Sequence, residues 1–335
     1  MSGTVADNID RQSGVIAAPA GGPEVRSDDP SASAGVVWFN TTSGVLKVYR
    51  LIGAWTAGGT ATQARVQTQG CGTLTAGLTM SGESASGRSA VSELYDGASW
   101  AAGNSLLVAR LGVGRAGTQT AGLCHGGQIT SNIANTEEYN GTTWVAGEDL
   151  ILAKHHGADD GTQTAAWTAA GSPAGASHDD STEHYNGTCW TADEDILASR
   201  GSTDGCGTQT AGLIIAGRLS GSGHATSCEQ YDGTSWTAGG AIATARHTSR
   251  SAGTQTSAMA VGGDDASGDY STELCESYNG SSWSSASSMT GPRYGSAAGG
   301  TGTSLYSSLG RTADTLLTTT EEYAETLTAR TVTDS

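Results

Sequence analysis

The sequence predicts an all-β fold: a six-bladed β-propeller closed by an N-terminal strand and preceded by an extended N-terminal arm. Three observations lead there: a composition poor in helix formers, a unit of 44 to 47 residues that recurs along most of the chain, and two hairpin signatures within each unit. The 335 residues include 50 Gly, one Phe, five Pro and only two lysines, Lys47 and Lys154, on a background of Ser, Thr and Ala. Gly and β-branched Thr both weaken helices, so strands and tight turns fit better.

The heptapeptide GTQTAGL stands at 117–123 and again, letter for letter, at 207–213. It belongs to a series of six Gly-Thr pairs starting at Gly72, Gly117, Gly161, Gly207, Gly253 and Gly300. Ten residues after each stands another glycine: Gly82, Gly127, Gly171, Gly217, Gly263 and Gly310. Seven residues before each stands a base: Arg65, Arg110, Lys154, Arg200, Arg246 and Arg293. The first hairpin of each unit is expected to turn at the Gly-Thr pair.

The second hairpin carries Tyr-Asx-Gly-x-x-Trp, as YDGASW (95–100), YNGTTW (139–144), YNGTCW (185–190), YDGTSW (231–236) and YNGSSW (278–283). Asn-Gly and Asp-Gly tolerate the positive φ of a tight hairpin turn. Four strands per unit at this period is the arithmetic of a propeller blade. The last unit runs from Tyr323 to Arg330 without a Trp strand, whereas the start of the chain holds a spare one around Trp55. The N-terminal strand is therefore expected to complete the C-terminal blade and close the ring at six.

These residues resemble the kelch repeat family, whose blades carry Gly-Gly after the second strand, Tyr in the third, Trp in the fourth and a base before the next blade. The pairs Gly126-Gly127 and Gly262-Gly263 match; Ser81-Gly82, Ala170-Gly171 and Ala216-Gly217 keep one Gly. The stretch GVVWFNTTSGVLKVYRLIGAW (35–55) is similar to a short hairpin common in bacteriophage tail and fibre proteins, with an aromatic strand, an Asn-Thr-Thr turn and a second strand. The expected organisation is an attachment or oligomerisation arm over 1–34 and the propeller over 35–335.

The resemblance implies a structural or adhesion protein of a bacteriophage virion, not an enzyme, assembled in the host cytoplasm. Its expected partners are other virion proteins through residues 1–34, further copies of itself, and a host surface receptor or glycan. The alternative is a carbohydrate-active or carbohydrate-binding propeller. A formal charge of −17 argues against nucleic acid, because phosphate binding needs clustered Lys and Arg. No apolar run reaches the ~18 residues of a membrane span, and the first 20 residues lack the basic start and apolar core of a secretory signal. The six cysteines form no closely spaced pair, so free, mostly buried thiols are expected rather than a zinc or redox motif.

The Tyr and Trp series recur at fixed offsets, which points to packing between blades rather than sugar stacking. The base series is expected to make blade-to-blade hydrogen bonds or exposed salt bridges, the latter worth ~0.5 kcal/mol each. No Asp box is present, since Asp232 directly precedes Gly233, and no catalytic constellation is expected: the seven histidines are scattered in sequence, with only His155 and His156 adjacent. All length variation falls between the second Gly and Tyr, at 13, 12, 14, 14, 15 and 13 residues, which marks the loops between second and third strands as the place for function. The candidate binding residues on this loop face are His178, Asp179, Asp180, Arg218, His224, Asp264, Asp265, Asp269 and Tyr270. Their carboxylates are of the kind that holds Ca²⁺, although a solvated acidic rim needs no metal; no other cofactor is expected.

Overall fold

A computed structural model describes residues 24–31, 33, 35–175, 178–219, 223–265 and 271–332. Among these the regular structure is all strand and the fold is β-propeller-like. The described residues fall into two compact units, one within Met1–Ala54 and Ala324–Ser335, the other Trp55–Tyr323.

In the smaller unit, Val37–Asn40 runs antiparallel to the strand that begins at Val45, around the turn 41–44. The Asn40 carboxamide oxygen accepts the Ser43 N–H at 2.9 Å and so caps the turn. Trp38 packs on Tyr49 with ring centroids 4.7 Å apart. Of the arm expected over 1–34, residues 1–23 lie outside the described ones; Glu24–Arg26 pairs in parallel with Val37–Asn40, and Asp29 binds Lys47 at 2.9 Å.

The larger unit is built from the repeats. In repeat one, Gln69–Thr73, Ala76–Met80, Ser92–Tyr95 and Trp100–Ala102 form a four-stranded antiparallel sheet in chain order. Repeats two to five do the same. In the sixth, Ala297–Thr301, Ser304–Ser308 and Thr320–Thr331 are followed by Val45–Ala57 in a longer sheet. Each inner strand lies beside the next, and Ala297–Thr301 lies beside Gln69–Thr73.

The turn of GTQTAGL falls two residues later than expected. Thr118 pairs with Ala121, so Gln119 and Thr120 form the tip, while Gly117 sits within the ladder opposite Gly122 at φ +97°. A side chain on Gly117 would stand 2.0 Å from the Ala121 carbonyl oxygen, which excludes every other residue. The Gln119 amide then reaches the preceding repeat, donating to the carbonyls of Gly77 at 3.0 Å and Tyr95 at 2.7 Å. Gln163, Gln209 and Gln255 repeat both bonds one sheet further on.

Other contacts between repeats recur as well. The indole N–H of Trp100, Trp144, Trp190 and Trp236 donates to a hydroxyl on the third strand of the preceding repeat, respectively Thr320, Ser92, Thr136 and Thr182. Trp55 packs on Tyr323 at 5.3 Å and donates to the Ser287 carbonyl at 2.8 Å. Each apolar cluster mixes residues of two successive repeats, for example Leu78 and Met80 with Cys124, Tyr139 and Trp144. The core therefore lies between sheets rather than inside any one of them.

The base series departs from expectation. Its backbone does join repeats: the N–H of each second glycine donates to the carbonyl of the next repeat's base, through to Gly310 with Arg65 at 2.8 Å. Its side chains are buried ion pairs inside their own repeat, not exposed bridges. Arg65 meets Glu93 at 2.5 Å, Arg110 meets Glu137 at 3.0 Å, Arg246 meets Glu276 at 2.9 Å, Arg293 meets Glu321 at 2.6 Å, and Arg200 is bonded to Glu229. Lys154, the one lysine in the series, reaches Glu183 only at 4.0 Å and takes Asp179 at 3.6 Å as a second anion.

The centre of the inner strands is filled by charge. The Arg115 guanidinium donates to the carbonyls of Asp159, Gly205 and Ser251, on three other repeats, and lies 3.3 Å from Asp160. Arg250 reaches the Thr68 carbonyl at 3.1 Å. The six thiols are free and five are buried, with burial pushing that of Cys71 up to about 12.

Two outcomes follow from this packing. Glu229→Gln leaves the buried Arg200 cation without its anion and is expected to cost about 3–5 kcal/mol in urea unfolding, whereas the double change Arg200→Met with Glu229→Leu costs markedly less. His125 is buried edge-on against Trp190, and burial holds its imidazole down at about 3 against 6.5 when unfolded. The unfolded chain thus binds a proton that the folded one refuses. Stability falls as pH drops from about 6.5 toward 3, and His125→Gln removes roughly 1.4 kcal/mol per pH unit of that slope in acid denaturation.

Candidate functional site

Successive strands of each sheet run antiparallel, so their connections alternate between two faces. The tight turns share one face; a side chain on Gly97 or Gly141, in the Tyr and Trp hairpins, would touch Thr75 or Thr120 of the first hairpin's turn. The loops between second and third strands, and the links between repeats, share the other.

On that second face the backbone holds one register in every repeat. The residue after each base pairs antiparallel with the residue after each second glycine: Val66 with Glu83, Leu111 with Gln128, His155 with Ser172, Gly201 with Arg218, His247 with Asp264 and Tyr294 with Arg311. The residue two after each base takes a left-handed φ in all six, from +49° at Thr248 to +61° at Gly112. The backbone is thus common to the repeats, while the side chains at the paired positions differ. A rigid scaffold with variable side chains at fixed points is how a recognition surface is made.

Between repeats two, three and four these positions border an open pocket of about 680 Å³, lined among others by Gln128, Asn132, His155, His178, Ser202 and Arg218. Its size falls within the usual range for small-ligand sites. The Asn132 amide donates to the Ser172 carbonyl at 2.7 Å, and His155 Nδ1 lies 3.0 Å from the same oxygen. A carbonyl only accepts, so Nδ1 carries the proton and Nε2 is left as an acceptor. Burial, and then the nearby Arg218 charge, hold His178 below the usual imidazole range. The lining therefore offers amide donors and acceptors, hydroxyls, two imidazoles and one guanidinium: the inventory that recognises polar, hydroxyl-rich or anionic ligands.

The expected site residues separate into groups. His178 and Arg218 line the pocket. Asp179 instead serves the scaffold, facing Lys154 and accepting from the Ser181 hydroxyl, and Asp180 accepts from the Ser199 hydroxyl at 3.0 Å. His224 and His247 are brought together with Asp264 further along the same face; Asp265 follows Asp264 and is half-buried. Asp269 and Tyr270 lie outside the described residues.

His224 stacks on His247 with ring centroids 4.4 Å apart and planes 28° from parallel. His247 Nδ1 stands 3.8 Å from Asp264 Oδ2 and 3.3 Å from the Asp264 carbonyl. Two of the seven histidines that are scattered along the sequence are thus neighbours in space. What sequence reasoning missed was the position after the base, which supplies His155 and His247. The signal was present: it is a variable residue beside an invariant one, outside the loops singled out by length.

No protein-family model matches the chain, and no curated protein matches it. Among solved structures the chain is similar to that of YjhT, a propeller-type protein, at a TM-score of 0.65 and 10% identity, over 80% of this chain and 99% of that one. At that identity the likeness concerns the fold alone.

Because Arg218 is exposed and His178 half-buried at a loop, neither supports the core. Arg218→Ala and His178→Ala are each expected to shift unfolding stability by no more than about 0.5 kcal/mol, in contrast to the buried bases.

Proposed function

We propose that the chain is a structural and adhesion protein of a bacteriophage virion, built on a closed six-bladed kelch-like propeller, and that it binds a host surface glycan through its loop face. The observation that carries the binding role is the loop-face pocket, in which Gln128, His155, Ser172, Ser202 and Arg218 come from positions that every repeat holds in the same register but fills differently, and Asn132 and His178 come from the loops of variable length. Closure at six is supported by the glycine-to-base hydrogen bond that joins the sixth repeat to the first, and by Trp55 packing on Tyr323. Assignment to a virion rests on the likeness of residues 35–55 to tail and fibre hairpins.

The Arg218 guanidinium in the pocket is suited to holding an anionic sugar, and the role proposed is binding without turnover. Residues 1–34 serve attachment or oligomerisation in this proposal, and several copies on one particle turn weak single-site affinity into firm adhesion.

Binding of the purified full chain to arrayed bacterial surface polysaccharides tests the adhesion role. Arg218→Ala should weaken retention about tenfold, equivalent to ~1.4 kcal/mol. Release of shortened sugars during the assay would replace adhesion with a carbohydrate-active role, and absence of the chain from purified phage particles would remove the virion assignment.

A further inference from the structure

We propose that His224, His247 and Asp264 form a binding site for one divalent transition-metal ion of the zinc type, independent of what the neighbouring pocket takes. Each of the three side chains has a donor atom, imidazole nitrogen or carboxylate oxygen, within 4.8 Å of those of the other two. Donors around tetrahedral zinc stand about 3.3 Å apart, from metal–ligand bonds near 2.0 Å. His247 Nδ1 and Asp264 Oδ2 stand 3.8 Å apart, and ligation through Nδ1 requires that nitrogen to give up its 3.3 Å contact with the Asp264 carbonyl.

The backbone carries the ligands in fixed positions. His247 and Asp264 exchange both backbone hydrogen bonds, at 3.0 and 2.8 Å, so their side chains leave one rung of a ladder. His224 is held by pairing with Arg218 on the adjoining two-residue strand. All three ligands are half-buried, so none of them is sealed from solvent.

Ligand chemistry selects the ion. Two imidazoles with one carboxylate suit zinc and its neighbours, whereas Ca²⁺ requires a cage of oxygens. The contrast with His184 is informative: its Nδ1 meets Asp193 at 2.9 Å but the ring packs on Tyr231, and no second imidazole joins them. That pair is a hydrogen bond; the first is a three-ligand set.

Calorimetric titration of the chelator-stripped full chain with zinc chloride tests the site. One saturable ion per chain is expected, with affinity reduced roughly tenfold or more by His247→Gln, His224→Gln or Asp264→Asn, and unchanged by His184→Gln. The conservative replacements, checked by circular dichroism, keep the fold so that lost affinity reports on ligation. Absence of saturable zinc uptake by the folded chain would overturn the site, as would undiminished affinity in the three variants. Equal uptake of Ca²⁺, lost in the same variants, would overturn the assignment of a nitrogen-preferring ion.

Discussion

The interaction on which the rest of the structure depends is the buried pair between the base that opens each repeat and the glutamate on its third strand. The carboxylate does two things at once. It neutralises a cation held out of water, and it accepts backbone N–H groups from the link before the inner strand, as Glu93 does from Thr62, Glu183 from Ile151 and Glu229 from Leu197. The guanidinium in turn satisfies carbonyls at the ends of its own second and third strands, as Arg200 does those of Ala216 and Ser227. The link's N–H groups thereby find partners, although the guanidiniums of Arg65, Arg110, Arg246 and Arg293 keep buried nitrogens without one. Buried ion pairs are seldom gained cheaply, so what this one secures is the path of the link, and with it the register on the loop face.

A different set of contacts joins one repeat to the next. Glutamine amides at the turn tips, indole N–H groups and the glycine N–H to base carbonyl bond all cross from sheet to sheet, and so do the apolar clusters. The division matters for function. Because every structural demand is met by residues at fixed offsets, the two paired positions after the base and after the glycine are left free to vary. Repeat three shows the exchange at its limit: the shorter Lys154 does not close on Glu183, and Asp179 from the loop is drawn in to complete the pair. A loop carboxylate there became part of the scaffold.

Much of this was legible in the sequence. The period, the six bases and the Tyr and Trp series located the four main strands of each repeat, since hairpin turn chemistry is local and its residues are few, but not the two-residue strands on the loop face. GTQTAGL was legible as a hairpin but not in detail; its glycine is a ladder residue under a close carbonyl, and its glutamine, not the base side chain, reaches the neighbouring sheet. The glutamate partner was also in view, two residues before each Tyr in all six repeats. It passed unnoticed because a charged residue alternating along a strand reads as solvent-facing until the burial of the opposite base is known.

The sequence by itself determined the fold class and the length of each repeat, because both follow from short-range backbone preference repeated at a constant period. It also separated invariant positions from variable ones. Only the tertiary structure decided which variable residues meet. His224, His247 and Asp264 belong to links and loops of two repeats, and neither their spacing nor their composition marks them as a set. They converge because the paired register and the curvature between sheets aim them at one point, and that geometry depends on contacts between repeats which no local preference encodes.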